Sequence, residues 1–349
     1  MLRRSIVRDA AGSLTRQVFV RSTVAFACIF ATSSVVLAQG AWARQNSGTL
    51  AWLHSVFFLD QNRGFAVGSR GMMLVTADGG KSWQQKSRPT PDIIKDIYFL
   101  NELNGWMVCE RNDYERALKD EPRTYLMNTK DGGERWSRVN VRGADVDSRL
   151  VRAVFKDGGL AWTFGEGGAI YSTRDFGKSW TKLSVPTRHL LLGGTFVDEH
   201  RGWVVGAGAT ILQTADGGDT WHLSRLAGAE GIRFNAAWFI DNRTGWAVGS
   251  GGAIYRTLNG GRTWAPQDSS VTSDLLDVRF IDNLEGWAVG NEGTVVYTND
   301  GGLHWDRQPT NTAHPLERIF FTDRTHGWAV GFGGTILTYV RAEAPQMRR

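Results

Sequence analysis

Cysteine is nearly absent from this sequence. Only Cys28 and Cys109 occur, and Cys28 lies within an apolar N-terminal run with no lipobox before it. If that run is removed, a single thiol remains and no internal disulfide can form. Histidine is sparse and scattered. None of the seven stands at His-x-His or His-Glu-x-x-His spacing, so a catalytic metal has no support. No long Ala/Glu/Lys/Leu stretch appears, which argues against a helical fold. No Gly-x-Ser-x-Gly elbow occurs. The "GAG" and "GSGG" runs sit between strand-like segments rather than between a strand and a helix, so nucleotide binding is not expected either. No cofactor is implied.

A surplus of charge is also missing once its location is considered. The formal net charge is +5, but residues 1–38 carry five arginines (3, 4, 8, 16 and 21) against Asp9. Without that segment the chain is near +1, so charge gives no support to nucleic-acid binding. The segment itself reads as a signal peptide over 1–38. A basic region ends at Arg21, an apolar run follows from Val24 to Leu37, and "VLA" at Val36–Ala38 supplies small residues for cleavage. The run is short for a transmembrane helix. Export is therefore expected, to the periplasm or an equivalent lumen, with Gln39 as the mature N-terminus. A cut after Ala43 in "AWA" is the competing site.

What the sequence has in abundance is glycine (42), tryptophan (15) and repetition. "TADGGKSW" at 76–83 returns as "TKDGGERW", "TRDFGKSW", "TADGGDTW", "TLNGGRTW" and "TNDGGLHW". Their closing residues are Trp83, Trp136, Trp180, Trp221, Trp264 and Trp305, at intervals of 53, 44, 41, 43 and 41. A second motif of the "GWAVG" type recurs seven times, each preceded by a short apolar run ending in Phe58, Phe99, Phe155, Phe196, Phe239, Phe280 or Phe321. Each unit reads as four short strands, in the fifth unit "NAAWFI", "GWAVGS", "AIYRT" and "TWAPQ". Four antiparallel strands per repeat of about 40 residues describe a propeller blade. The expected fold is an all-β, seven-bladed β-propeller over 39–341, with a tail at 342–349.

The eight-residue phrase is an Asp-box, and its reading is structural. Asp78, Asp131, Asp175, Asp216 and Asp300 can accept backbone N–H bonds within a tight turn, while a glycine supplies positive φ. The following Trp packs between blades. The seventh unit lacks the phrase because the chain ends after its third strand. Trp42 stands 41 residues before Trp83, and "AWARQN" around it is expected to supply the missing outer strand. Such closure removes an open sheet edge.

Stretches such as "FIDNRTGWAVGSGGAIYRTLNGGRTW" (239–264) and "FIDNLEGWAVGNEGTVVYTNDGGLHW" (280–305) are more specific than a generic Asp-box. The sequence resembles the photosystem II stability and assembly factor family over about 39–341. That resemblance implies a seven-bladed propeller doing non-enzymatic work: holding a membrane-protein partner from the periplasmic or lumenal side. A monomer is expected. A carbohydrate- or surface-binding propeller and a sialidase-like glycoside hydrolase are the alternatives. The hydrolase lacks a Tyr–Glu pair and an arginine-triad motif.

Two departures from the repeat are candidate partner contacts. Unit two carries an insertion, "ERNDYERALKDEPR" at 110–123, with Arg111, Tyr114 and Arg116. Cys109 begins it where other units place glycine, and reads as a small filler. The innermost strands gather ionisable residues: Lys95, Asp96, Arg152, Asp277, Arg279, Glu317 and Arg318. Mutual salt bridging explains mixed signs, while recognition of a carboxylate-bearing partner explains the arginines. On the second reading, Arg152→Glu with Arg318→Glu weakens partner binding and lowers melting only modestly.

Overall fold

The computed structural model describes residues 40–111, 122–139, 148–156, 159–224, 226, 228–229 and 231–341. These form seven sheets of four antiparallel strands. Blade 1 runs through Leu53–Phe58, Gly64–Gly68, Met73–Thr76 and Gln84–Gln85, from the channel outward. The first strands of blades 2 to 7 are Ile93–Phe99, Leu150–Lys156, Leu191–Phe196, Phe234–Phe239, Leu275–Phe280 and Leu316–Phe321. Segment 1–38 and tail 342–349 lie outside the described residues. Among the described residues no helix is long and apolar enough to cross a membrane.

Blade 7 closes as expected. Its three C-terminal strands are joined by Ala41–Gln45, which pairs antiparallel with Ile336–Val340 so that Trp42 faces Tyr339. Trp42 is 4% exposed, and its indole donates to Gln308 Oε1 at 2.8 Å.

The blades are joined by aromatic stacks that both repeated motifs build together. The first-strand Phe of one blade lies flat against the "GW" indole of the preceding blade: Phe58 on Trp328 at 3.4 Å between ring centroids, Phe196 on Trp162 at 3.7 Å, Phe239 on Trp203 at 3.6 Å and Phe280 on Trp246 at 3.5 Å. The Asp-box Trp meets the same Phe edge-on, as Trp83 does Phe58 and Trp305 does Phe280. Stacked and edge-on pairs contribute about 0.5–1.5 kcal/mol each beyond buried area. The box Trp thus shares the wedge with the "GW" indole.

That indole also ties each blade to the next Asp-box. Trp162, Trp203, Trp246 and Trp328 donate to the box carbonyls of Gly217, Gly260, Gly301 and Gly79 at 2.8–3.2 Å. Trp287 faces blade 7, where no box exists. Its buried indole nitrogen has no partner among the described residues, so the missing seventh phrase leaves a hydrogen bond unmade.

The threonine and backbone bonds of the box recur in every copy, while the side chain four residues after the aspartate varies. In blade 1, Thr76 Oγ1 donates to Asp78 Oδ1 and accepts from Gly80 N, while Asp78 accepts from both the amide and the hydroxyl of Ser82. Gly80 has φ +88°, which other residues rarely adopt, and a Cβ there would press on the Trp83 and Trp328 indoles at 3.2–3.4 Å. In blade 5, Asn259 takes the aspartate's place: its Oδ1 accepts from Thr257 Oγ1 and Thr263 N, while its Nδ2 donates to Thr263 Oγ1, so the hydroxyl bond survives with its direction reversed. The motif therefore works through hydrogen bonds and needs no charge.

This predicts a specific acid response. The hydroxyls of Ser82, Ser179 and Thr220 hold Asp78, Asp175 and Asp216 at about 2, with help from turn amides and the box threonines. A carboxylate whose folded value lies below its unfolded value of about 3.9 stabilises fully above pH ~4 and loses that contribution as pH falls towards 2. Melting temperature should therefore fall between pH ~4 and ~2. Combining Asp78→Asn, Asp175→Asn and Asp216→Asn should flatten that limb while sparing the melting temperature at neutral pH. A large loss at pH 7 would show that the charge itself is required.

Candidate functional site

The first strands line a central channel, and a bulge near the start of each one sets which side chains face it. Ser55, Asp96, Arg152, Gly193, Ala236, Asp277 and Arg318 occupy the position just after the bulge, and alternation brings Phe57, Tyr98, Val154, Thr195, Trp238, Arg279 and Phe320 to the next inward layer. The first layer is ionic. Arg318 reaches Asp96 at 2.6 Å and Arg152 reaches Asp277 at 3.3 Å, each pair linking two blades. Asp96 also accepts from Ser55 Oγ at 2.8 Å, and Asp277 from Ile319 N at 3.1 Å. Burial pulls the Arg152 guanidinium below its ordinary value, as does Arg318 beside it. For Arg318 burial is outweighed by Asp96 and Asp277, which raise it. Of the arginines foreseen as partner contacts, Arg152 and Arg318 are thus bonded to aspartates across the channel, the mutual pairing that mixed signs allowed.

The second layer is aromatic. Arg279 lies with its guanidinium carbon 3.7 Å from the Trp238 ring centroid and 5.3 Å from that of Phe320. Phe57 sits 5.1 Å from Phe320 and 5.2 Å from Tyr98, completing the wall. Between the two layers and the ends of the first strands lies a cavity of about 340 Å³.

A second cluster lies on the crossover face, where each blade's second-to-third-strand turn meets the connection to the next blade, as in the bond from Gly71 N to Asp92 O. Glu110, at the start of the insertion, is ringed by Arg149 at 2.8 Å, Arg123 at 3.7 Å and Lys95 at 3.8 Å. Arg123 and Arg149 also approach Glu166, and Arg111 reaches Asp92 at 3.7 Å while lying over the Tyr125 ring. Burial lowers Lys95 and raises Glu317. His54 is driven down to about 3 by burial and then by Lys95, Arg318 and Arg149, so it is neutral at physiological pH. Exposed Trp52 and Phe332 stand beside it, 5.3 Å apart. Sequence reasoning singled out Lys95, Arg111 and the insertion that ends at Arg123, but missed Arg149, which precedes a first strand and carries no motif of its own. Tyr114 and Arg116 lie outside the described residues.

Cys109 is buried and unpaired, and burial pushes its thiol far above the ordinary range, as expected of a filler. In the other blades glycine is needed here for a close approach: a Cβ on Gly68 would lie 2.0 Å from the Trp52 carbonyl oxygen. In blade 2 the ladder continues instead to Glu110 paired with Thr124, so a side chain fits. Among the described residues, no group of three or more His, Cys, Asp and Glu could hold a metal ion.

Seven four-stranded blades, six Asp-boxes and an N-terminal closing strand define an Asp-box β-propeller whose notable features are a charged channel and a decorated crossover face. The family model of the photosynthesis system II assembly factor YCF48 matches residues 35–182, 178–271 and 266–340, and the chain belongs to that family. It is 30% identical over 131 residues to the photosystem II assembly lipoprotein Ycf48 of Synechococcus sp. (strain CC9902), covering 36% of this chain and 34% of the relative. It is 27% identical over 126 residues to the chloroplastic photosystem II stability/assembly factor HCF136 of Arabidopsis thaliana, covering 35% and 28%. The matched part thus spans about a third of these curated relatives. Among solved structures, YCF48 from Cyanidioschyzon merolae superposes with a TM-score of 0.70 at 22% identity, over 86% of this chain and 99% of that one. A structure of YCF48 bound to D1 peptide gives 0.70 at 21%, over 86% and 97%. Virginiamycin B lyase from Staphylococcus aureus also gives 0.70, at 11% identity and over 86% and 99%. These structural likenesses establish the propeller alone.

Proposed function

We propose that this chain is an exported, non-catalytic assembly factor that binds a segment of a membrane-protein partner on its crossover face. Family membership across nearly the whole ring carries the reading. The two curated relatives compared are named as photosystem II assembly factors, and one solved relative is described as bound to a peptide. The crossover face supports it chemically, because it combines exposed Trp52 and Phe332 with the arginines around Glu110. Arg70 and Arg188 are exposed there as well. Such a mixture suits a polypeptide carrying carboxylates and apolar side chains. The mature protein would begin at Gln39, retaining the closing strand.

The test is a crosslinked pull-down from detergent-solubilised membranes, read by mass spectrometry. The parent chain should retain an integral membrane protein. Deleting 112–121, or combining Arg70→Glu with Arg188→Glu, should cut retention at least about tenfold without unfolding the ring. Lys81→Glu with Lys178→Glu on the Asp-box turns should not. The reverse pattern would put the working surface on the Asp-box face, and turnover of fluorogenic glycosides would replace the scaffold with a hydrolase.

A further inference from the structure

Arg279 lines the channel but lies outside its ionic layer. Arg152 and Arg318 each face an aspartate, but Arg279 makes no hydrogen bond and no ion pair among the described residues. Its contacts are the ring faces of Trp238 and Phe320. Stacking uses the face of a guanidinium and leaves the in-plane N–H groups free to donate. None of the Arg279 nitrogens is among the buried atoms lacking a partner, so these donors are accessible. The cavity they border is lined by three arginines and one lysine against two aspartates, a net charge of +2. Burial lowers the Arg279 guanidinium to about 10, the mark of a cation held away from water without a bonded counter-ion.

The walls narrow the chemistry of the missing anion. Phe57, Tyr98, Trp238 and Phe320 present flat apolar surface, which suits an apolar body better than a hydrated polyanion. A carboxylate matches the guanidinium fork with two parallel bonds. We infer that the channel between the ionic layer and the Asp-box end of the first strands is a binding site for a small carboxylate with a flat apolar body, held by Arg279. The site lies on the far side of the ionic layer from the crossover face, so it is separate from the proposed partner surface.

Titration calorimetry of the full chain with sodium benzoate, benzamide and acetate tests this. Benzoate should bind at least about tenfold more tightly than either comparator. Arg279→Gln should abolish the preference, while Arg279→Lys, which keeps the charge but not the fork, should retain part of it. Because Arg279→Gln removes an unpaired cation, its melting temperature should match or exceed the parent's, which excludes unfolding as the cause. Benzoate binding no tighter than acetate, or undiminished in Arg279→Gln, overturns the inference. Arg279→Gln should still retain the membrane protein on pull-down, so the two readings can fail separately.

Discussion

Trp42→Ala should remove roughly 3–5 kcal/mol from the stability of the ring, the usual cost of truncating a large buried aromatic. Trp42 packs edge-on to Phe321 at 6.0 Å, tilts against Tyr339 at 5.3 Å, and bonds Gln308 in the neighbouring blade. It occupies the place that an Asp-box Trp holds in the other six blades, but on a strand from the opposite end of the chain. Its loss should therefore open the single point where the ring is not covalently continuous. Urea denaturation measures the effect, with Leu50→Ala, which is 88% exposed, as a control expected to stay within about 0.5 kcal/mol. An unchanged midpoint for Trp42→Ala would mean that backbone pairing with Ile336–Val340 closes the ring alone.

Breaking the ionic layer should be as damaging. Asp96→Ala strands Arg318 without its carboxylate and removes an acceptor from Ser55, so bonds between blade 2 and blades 7 and 1 are lost together. Removing one partner of a buried pair costs about 3–5 kcal/mol, because the other charge stays buried and unpaired. Arg152→Glu with Arg318→Glu should cost more than that, since it would oppose two new carboxylates to Asp96 and Asp277. The sequence alone suggested that this double reversal would lower melting only modestly. The pairing across the channel changes that expectation. Exchanging charges, with Arg152→Asp and Asp277→Arg together, should recover much of the loss of either single change. A double reversal that melts near the parent would show that the channel charges are solvated and dispensable.

Most of the fold was legible because a repeat makes the chain its own alignment. The interval of about 41 residues, the Phe-ended runs and the "GWAVG" motifs locate strands, turns and blade count, and the 41-residue step from Trp42 to Trp83 places Trp42 in the closing strand. The turn-building role of the Asp-box was legible too, since five aspartates and Asn259 repeat one hydrogen-bonded turn around the ring. The site was legible only in part. Lys95, Arg152, Arg279 and Arg318 were expected to line the channel from the first positions of the inner strands; the bulge turns Lys95 to Glu110 instead, and a list of positions reads the same whether two charges meet or stand apart.

What the sequence determined by itself is whatever depends on neighbours along the chain: strand and turn, the hydrogen-bonded box, and the seven-fold count. The tertiary structure alone decided which charges are spent and which are available. Arg318 meets Asp96 from 222 residues away and Arg152 meets Asp277 from 125, whereas Arg279, two residues beyond Asp277, reaches only aromatic rings. Ring closure brings seven distant first strands within side-chain reach of one axis, and pairing around that axis depends on blade angle and layer depth, which no local pattern encodes.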